Sequence, residues 1–385
     1  TQGVSSAASD VYKRQGSNWM SSIPDKLSIT EFSIPGTHDS AARYIADPFT
    51  PDSSAKTQDL TIREQLDAGV RFLDLRCRHI GNACALHHGR AYLSMNLSDA
   101  LNQIDGFLDT NKSETVVVSI KDGEHDDEGN TRSFEATLRS YLEDPNQKKY
   151  WYTKESIPRL GALGDSNGVR GKAILLRRFG ANTPYGIDAT QWPGNTTGFI
   201  PGSSISVQDF YNMGSYLLGQ KPDDYPEKWN SIEKQLLSAS KDATVWYINF
   251  TSAVVFTWQP IWPDIPNIPL VSNYINPKVS SFFTSRVGHY GTVVMDFMTP
   301  DLAKSIYMTT ILGLTQSDPD HDGVATSIEV DDNQDPFTSI RIEHLGTDVR
   351  LAVRSPLQQP IQITADNQPT SFLVTGLPRG LKLER

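Results

Sequence analysis

The chain of 385 residues lacks the features that mark several large classes of protein. It contains two cysteines, too few for a disulfide-rich scaffold or for a zinc site built from thiolates. No apolar run reaches the roughly 18 residues that a membrane-spanning helix requires. Lysine and arginine number 35 against 45 aspartates and glutamates, and the net charge of −10 disfavours a nucleic-acid partner, which needs a basic footprint. Contact with an anionic membrane must therefore be local and mostly apolar.

Several catalytic signatures are missing as well. The sequence has no phosphate-binding Gly-Lys-Ser/Thr loop and no serine at a strand-to-helix elbow. It also lacks the cluster of carboxylates and histidines at strand ends that binds the two ions of a two-metal phosphatase. These absences disfavour P-loop, serine-hydrolase and two-metal chemistry.

Between residues 18 and 314 the chain alternates short apolar runs with amphipathic helical patterns. The runs that predict strands are Phe32–Gly36, Val70–Arg76, Thr115–Lys121, Ala173–Phe179, Ile205–Phe210, Thr244–Phe250 and Thr292–Phe297. Several of them are apolar without alternation, which indicates burial on both faces, as in a parallel sheet covered by helices. The alternation of strands and helices predicts an α/β fold, an irregular TIM barrel.

The two ends of the chain differ from this central part. Residues 1–17 are small and polar, lack the apolar centre of a signal peptide, and are predicted to be a disordered or non-native segment. Residues 315–337 form an acidic linker. Residues 338–385 carry short strand-like pieces separated by turn residues, which predicts a small C-terminal all-β domain.

The acidic linker contains the pattern of an EF-hand-like calcium loop. The predicted ligands are Asp318, Asp320, Asp322, Val324 through its carbonyl, and Glu329. Carboxylates at these spacings, closed by a glutamate at the twelfth position, are the hard oxygen ligands that calcium selects. A β region follows where an EF-hand has its second helix, so a solvated acidic linker remains the alternative. A bound calcium would be structural.

The two cysteines, Cys77 and Cys84, flank a predicted hairpin turn. Cysteines that face each other across a hairpin can form a disulfide, which favours an oxidising compartment. The alternative is a pair of reduced, buried side chains.

One stretch predicts contact with a lipid surface. Trp258, Ile261 and Trp262 lie in an uncharged, proline-containing stretch predicted to be a loop between the sixth strand and the next helix. Exposed aromatic patches usually have a partner, and aromatic rings suit the membrane interface. The alternative is that both tryptophans fold back onto the barrel.

Polar residues follow most of the predicted strands. They are His38, Asp39, Asp74, Arg76, His88, Lys121, Arg178, Asp209 and Asp296. Because reacting groups of a parallel barrel gather at the carboxyl ends of its strands, we expect these side chains to share one mouth. Two histidines supply a base and an acid near neutral pH, and a guanidinium suits a phosphate. This set is similar to that of ribonucleases, in which an internal hydroxyl attacks phosphorus and a cyclic phosphate forms.

The motifs around these residues occur in a characteristic order between residues 18 and 312. They are Gly36-Thr37-His38-Asp39-Ser40, Phe72-Leu73-Asp74-Leu75-Arg76, Leu86-His87-His88-Gly89, Gly171-Lys172, Val207-Gln208-Asp209-Phe210-Tyr211, Asn249-Phe250-Thr251-Ser252, Tyr274-Ile275-Asn276-Pro277 and Val294-Met295-Asp296-Phe297. With this set the chain resembles bacterial phosphatidylinositol-specific phospholipase C, a family whose fold is an irregular TIM barrel.

The resemblance implies a role for each catalytic position. His38 would be the general base on the inositol 2-hydroxyl, held by Asp296. His88 would be the general acid for the diacylglycerol oxygen, assisted by Asp39. Arg76 would neutralise the phosphate.

It also implies the residues that surround the substrate. Asp74 would orient nearby groups, and Lys121, Arg178 and Asp209 would hydrogen-bond the inositol hydroxyls, with Tyr211 stacked under the ring. The arginine position carries an acidic residue in a calcium-dependent branch of the family, so the resemblance implies a site without a catalytic metal.

The expected protein is a secreted, monomeric phosphorus-oxygen lyase that cleaves phosphatidylinositol in membranes to diacylglycerol and inositol 1,2-cyclic phosphate. It would need no cofactor for catalysis. The alternatives are a metal-dependent glycerophosphodiesterase or sphingomyelinase D-like barrel, and a non-catalytic lipid-binding barrel. Retention of both His38 and His88 weighs against the last of these.

Overall fold

The structure, a computed structural model, describes residues 16–45, 49–217, 225–259, 262–284 and 286–317, together with the backbone of two short strands near the C-terminus. The chain divides into two compact units, Thr1–Gly313 and Leu314–Arg385. The described part starts at Gly16, whose backbone carbonyl accepts a hydrogen bond of 2.9 Å from Arg71. The described residues therefore include Gly16 and Ser17, which precede the expected start of the barrel at residue 18.

The first unit contains fifteen described strands. They are β1 (Ile34–Thr37), β2 (Phe72–Ile80), β3 (Ala83–His88), β4 (Ala91–Asn96), β5 (Thr115–Lys121), β6 (Trp151–Tyr152), β7 (Lys172–Arg178), β8 (Ile187–Asp188), β9 (Thr197–Phe199), β10 (Ile205–Gln208), β11 (Asn212–Leu217), β12 (Trp246–Phe250), β13 (Val254–Gln259), β14 (Trp262–Asn267) and β15 (Thr292–Met295).

Seven α-helices accompany them in the described residues. They are α1 (Asp52–Ala55), α2 (Ile62–Asp67), α3 (Leu97–Thr110), α4 (Phe134–Leu142), α5 (Tyr225–Ala239), α6 (Ile268–Phe283) and α7 (Pro300–Ser317). Short 3-10 helices span Trp19–Ser22, Ile29–Glu31 and Lys148–Tyr150. Helix α2 begins with a capping box, in which Thr61 and Glu64 satisfy each other's backbone N–H groups.

The main sheet has the strand order β6-β7-β5-β2-β1-β15-β12-β10-β9, with β8 beside β7 and the β3–β4 hairpin joined to β2. The strands from β6 to β10 pair in parallel, and only β9 runs antiparallel to its neighbour among them. Each of the seven predicted strands overlaps one of the central parallel strands. The predicted α/β class is therefore confirmed. No pairing among the described strands joins β9 to β6 or β8, so the sheet that they form is open at that point.

A glycine allows β1 and β2 to approach closely. A Cβ atom built on Gly36 would lie 2.9 Å from the Cβ of Phe72, a distance that real Cβ contacts do not show. The pairing of Gly36 with Phe72 brings the segment after β1 next to the middle of β2. Glycine at this position is thus required by the contact between β1, which precedes His38 and Asp39, and β2, which carries Asp74 and Arg76.

Strands β2 and β3 form a hairpin that a disulfide closes. Gly81 and Asn82 make its two-residue turn with φ values of 56° and 61°, the left-handed region that such turns require. Cys77 on β2 and Cys84 on β3 are bonded, with their Cα atoms 5.2 Å apart. Of the two alternatives that the sequence left open, the structure contains the bridge.

The tryptophan-containing stretch, expected as a loop, is mostly strand. Val254–Gln259 and Trp262–Asn267 pair as an antiparallel hairpin, and β11 pairs in parallel with the first of them. The expectation was wrong because β-branched and aromatic residues before the turn favour a strand over a loop. Ile261 and the side chains of Trp258 and Trp262 lie outside the described residues.

In the second unit two strands are described, β16 (Glu343–Leu345) and β17 (Asp348–Arg350), which pair antiparallel. The calcium loop predicted from Asp318 to Glu329 and the rest of the predicted β domain lie outside the described residues. Helix α7 continues to Ser317, three residues past the expected end of the barrel at residue 314.

Candidate active site

His38 lies one residue beyond β1 and is held by a buried carboxylate. Its Nδ1 lies 2.7 Å from Oδ1 of Asp296, which follows β15 and is 1% exposed. The parallel pairing of Thr37 with Met295 puts the next residue of each strand side by side. Since the carboxylate accepts from Nδ1–H, it leaves Nε2 of His38 as the nitrogen that takes a proton.

Two side-chain amides hold the backbone around His38 and Asp296 in place. Nε2 of Gln58 donates to the backbone carbonyls of His38 and Met295 at 3.0 and 2.9 Å. Nδ2 of Asn276 donates to the backbone carbonyl of Asp296 at 2.9 Å. The backbone on both sides of the His38–Asp296 pair is thus fixed by side-chain donors from outside the sheet.

His88, the last residue of β3, faces His38 across the mouth. The two ring centroids are 5.7 Å apart and the rings are nearly perpendicular. Nδ1 of His88 donates to the carbonyl of Ala55 at 2.6 Å and lies 3.7 Å from Oδ2 of Asp39. Burial, together with the neighbouring charges of His38 and Arg76, lowers the pKa of His88 to about 4.

Asp39 is fully buried, and neither of its carboxylate oxygens has a hydrogen-bond partner among the described residues. Burial raises the pKa of Asp39 well above its usual range, although Arg76 lies 4.0 Å away and opposes the shift. Its backbone φ of 37° lies in the left-handed region, which is strained for a residue with a side chain. The fold therefore disfavours the ionised form of this carboxyl group beside His88.

Arg76, near the middle of β2, lies among acidic side chains. Its Nε lies 3.0 Å from Oδ2 of Asp74, and its Nη1 lies 3.6 Å from Oε1 of Glu124. Burial alone would raise the pKa of Asp74, but Arg76 and Arg178 outweigh it and hold that pKa at about 2. The guanidinium is thus fixed in position while part of its surface, 13% of the side chain, stays accessible.

Of the side chains expected around a sugar ring, Arg178 ends β7, and Asp209 and Tyr211 follow β10. Nη1 of Arg178 donates to Oδ1 of Asp74 at 3.2 Å, and its guanidinium stacks on Trp192 at 3.9 Å. Nε1 of Trp192 in turn donates to Oδ2 of Asp209 at 2.8 Å. Tyr211 is 45% exposed. The contacts link Asp74, Arg178 and Asp209 through one aromatic side chain.

Lys121, at the end of β5, completes the polar side of the mouth. Its Nζ lies 2.6 Å from Oε2 of Glu124, and that carboxylate also accepts from the backbone N–H of Gly89 at 3.0 Å. Arg76 and Lys121 lower the pKa of Glu124 against the effect of burial. Glu124 therefore connects Lys121, Arg76 and the turn that follows His88.

Three charged or titratable neighbours of these residues point elsewhere. Arg177 pairs with Asp188 at 2.7 Å, and Arg78 pairs with Glu128 at 2.8 Å. His87 is 5% exposed and packs its ring against Tyr92. Adjacent residues of a strand face opposite sides, which separates Arg177 from Arg178 and His87 from His88.

Sequence reasoning did not identify Glu124, Gln58, Trp192 and Asn276 as parts of the site. Glu124 stands three residues after Lys121 and could have been suspected from that spacing. Gln58 and Trp192 lie in segments between strands, where no periodicity marks them. Within the described residues no group of three or more His, Cys, Asp or Glu side chains could hold a metal ion, and no helix is long and apolar enough to cross a membrane.

Paired imidazoles, a buried carboxyl group with a raised pKa and a partly accessible guanidinium at the carboxyl ends of parallel strands are the groups that an acid–base enzyme uses. The family model "Phosphatidylinositol-specific phospholipase C, X domain" matches residues 32–178. A 1-phosphatidylinositol phosphodiesterase of Staphylococcus aureus is 32% identical over 262 residues, which cover 64% of this chain and 78% of that protein. The chain belongs to the phosphatidylinositol-specific phospholipase C family.

Two further comparisons agree. A 1-phosphatidylinositol phosphodiesterase of Listeria monocytogenes is 27% identical over 290 residues, covering 75% of this chain and 83% of that protein. A solved structure concerned with the membrane binding of phosphatidylinositol-specific phospholipase C from S. aureus superposes with a TM-score of 0.60 at 26% identity, covering 75% of this chain and 97% of the other. The likeness therefore extends beyond the X domain.

Proposed function

We propose that the protein is a phosphatidylinositol-specific phospholipase C that releases diacylglycerol and forms inositol 1,2-cyclic phosphate. The observation that carries the proposal is the pair of imidazoles that face each other with ring centroids 5.7 Å apart. His38 is hydrogen-bonded to Asp296, and His88 lies 3.7 Å from Asp39. That arrangement allows a base and an acid to act on the two sides of one phosphorus atom.

The reaction begins with proton abstraction. Nε2 of His38 accepts the proton of the inositol 2-hydroxyl while that oxygen forms a bond to phosphorus. Asp296 stabilises the imidazolium that results, since its carboxylate lies 2.7 Å from Nδ1. Arg76 compensates the negative charge on the non-bridging phosphate oxygens.

The bond between phosphorus and the diacylglycerol oxygen then breaks, and His88 protonates the leaving oxygen. A histidine with a pKa of about 4 is neutral at pH 7, so Nε2 of His88 has to take up a proton from solvent before it can act as the acid. The bound phosphate, an anion, favours this uptake. Asp39 lies 3.7 Å from Nδ1, whose proton is donated to the carbonyl of Ala55, and its carboxylate stabilises the imidazolium, so the acid is the Asp39–His88 pair.

No metal is needed for this chemistry. The guanidinium of Arg76 occupies the position between Asp74, Asp39 and Glu124 where a cation would otherwise balance three carboxyl groups. The positive charge on the phosphate therefore comes from a side chain.

Phosphorus NMR of phosphatidylinositol vesicles incubated with the protein tests the proposal. We expect the signal of a five-membered cyclic phosphate to appear at the same rate with and without a chelator. Direct formation of a phosphomonoester, or loss of the signal in the chelator, would instead favour a metal-dependent phosphodiesterase. No turnover would favour a lipid-binding barrel.

Binding to the bilayer surface is assigned to apolar side chains at the hairpin that contains Trp258, Ile261 and Trp262. The exposed ring of Phe49, which precedes the α1 segment in contact with His88, supports an apolar rim near the mouth. Replacing both tryptophans by alanine should weaken vesicle binding and slow hydrolysis in bilayers, and leave a soluble inositol phosphodiester unaffected. Equal losses on both substrates would contradict the assignment.

A structural calcium ion is assigned to the loop with Asp318, Asp320, Asp322, Val324 and Glu329 as ligands. Chelation should lower the melting temperature, because an ion that binds the native state stabilises it, while initial rates at low temperature persist. An unchanged melting temperature would refute the ion, and immediate loss of activity in a folded protein would assign it to catalysis.

The protein is further proposed to be a secreted monomer. The Cys77–Cys84 bridge supports secretion, because disulfides persist in oxidising compartments. Mass spectrometry of protein recovered from culture medium tests the bridge, and sedimentation tests the monomer.

A further inference from the structure

A buried lysine lies behind the inositol side of the mouth. Lys228 in α5 is 0% exposed, although lysine is almost never fully buried unless it is paired. No carboxylate forms an ion pair with it among the described residues. Its Nζ donates instead to the carbonyls of Phe210 and Phe250 at 2.6 and 2.7 Å, with Oε1 of Gln208 at 3.4 Å.

The two carbonyls follow the point where neighbouring strands stop pairing. The ladder between β10 and β12 ends with Gln208 beside Asn249. Beyond it the chains separate, and Phe210 and Phe250 direct their carbonyls toward the same ammonium group. Lys228 therefore continues, with side-chain hydrogen bonds, the connection that the backbone ladder no longer makes.

Both carbonyls belong to residues next to the reacting groups. Phe210 lies between Asp209 and Tyr211, the two residues assigned to the inositol ring on this side. The ring of Phe250 lies edge-on to His38, with centroids 6.0 Å apart, and to Trp192, with centroids 5.6 Å apart.

We infer that Lys228 is a positioning residue whose ammonium group holds the ends of β10 and β12 together and so sets Asp209 and Tyr211 relative to His38. The inference deepens the proposed function and rests on it. Burial lowers the pKa of Lys228 to about 7, against the opposing effect of Asp209 and Asp296, and even the neutral amine keeps two N–H donors for the two carbonyls.

Replacing Lys228 with methionine keeps much of the side-chain volume and removes all three donors. The carbonyl of Phe210 then has no donor among the described residues, and the segment 209–211 can shift away from β12. The expected loss is in binding of the inositol ring, since His38, His88 and Arg76 are on other strands.

The test uses the full chain and a soluble, monomeric inositol phosphodiester. Lys228→Met should raise KM, and the inhibition constant of free myo-inositol, by about tenfold, while kcat falls by less than about threefold. Lys228→Gln, which retains donors on a shorter side chain, should show the same pattern at smaller size. Lys234→Met, on the exposed face of α5, is the matched control and should leave both constants unchanged.

A folded Lys228→Met variant with wild-type KM and inhibition constant would overturn the inference. If that variant does not fold, the glutamine variant decides in the same way, and failure of both to fold would make Lys228 a residue of general stability instead. Wild-type protein that forms no cyclic phosphate would refute the proposed function, so the two failures are distinguishable.

Discussion

Two regions of the mouth each contain a histidine, but the surroundings of the two rings differ. We call them the His38 corner, which includes Asp296, and the His88 corner, which includes Asp39. His38 has a buried carboxylate partner at Nδ1, and its backbone is anchored by Gln58. His88 has a backbone carbonyl partner, buried surroundings and an arginine nearby, which favour the neutral ring. The difference teaches that partner and burial, rather than residue type, decide which histidine takes a proton and which one must be supplied with it.

The largest expected effect tests whether both corners are needed. His38→Ala and His88→Ala should each lower turnover of phosphatidylinositol by at least about a hundredfold, because each removes one proton-transfer group. His87→Ala is the matched control, since His87 is the neighbour on β3 that packs against Tyr92. Near wild-type turnover of either variant, in a protein with an unchanged circular dichroism spectrum, would remove that residue from the mechanism.

The second test concerns the support of the charged ring at the His88 side of the mouth. Asp39→Asn keeps the shape of the buried side chain and removes its ionisable oxygen. Below a pH of about 4 the ring of His88 is charged in the free protein, and at pH 7 about one molecule in a thousand carries the charge. We expect kcat/KM at pH 7 to fall by about a hundredfold and the alkaline limb of its pH profile to move to lower pH, because the imidazolium loses a carboxylate neighbour. An unshifted limb would show that Asp39 does not stabilise the imidazolium.

A smaller effect is expected from a substitution of Arg76. Arg76→Lys keeps the positive charge but loses the planar guanidinium that can donate two parallel hydrogen bonds to a phosphate. We therefore expect kcat to fall by about tenfold or more while KM changes by less than about threefold. Arg78→Lys provides the comparison on the same face of β2, where the partner is Glu128 at the surface. Equal kinetics of the two variants would mean that charge alone matters at Arg76.

The smallest effect on turnover is expected from removal of the disulfide between Cys77 and Cys84, which closes the hairpin that carries His88. The double variant Cys77→Ala/Cys84→Ala opens a short loop, and the free energy of unfolding should decrease by roughly 2–3 kcal/mol in urea titrations. Turnover at low temperature should change little, because the β2–β3 ladder still positions Arg76 and His88. A large loss of turnover in the folded variant would show that the bridge, and not the ladder, sets the geometry of the His88 corner.

The strand-end residues could be predicted from sequence because parallel strands bring their carboxyl ends to one edge. His38, Arg76, Lys121 and Asp296 follow or end apolar runs, and the structure places them around the same mouth. The tryptophan hairpin was mistaken for a loop because prolines at both ends of a strand resemble loop composition.

Other parts of the site could not be predicted. Glu124 and Trp192 lie in connections whose course depends on packing, and Lys228 is on a helix whose pattern gives no reason to bury a charge. Its burial follows from where β10 and β12 stop pairing, which is a property of two distant segments.

The sequence by itself determined which chemical groups are available, their order along the chain and the α/β class, because strand and helix periodicity and motif spacing are local properties. Only the tertiary structure decided the pKa shifts and the partners: the lowered pKa of His88, the raised pKa of Asp39, the lowered pKa of Asp74 and the carbonyl-bound Lys228. These depend on burial and on charges within a few ångströms, and both are set by residues far apart in the chain.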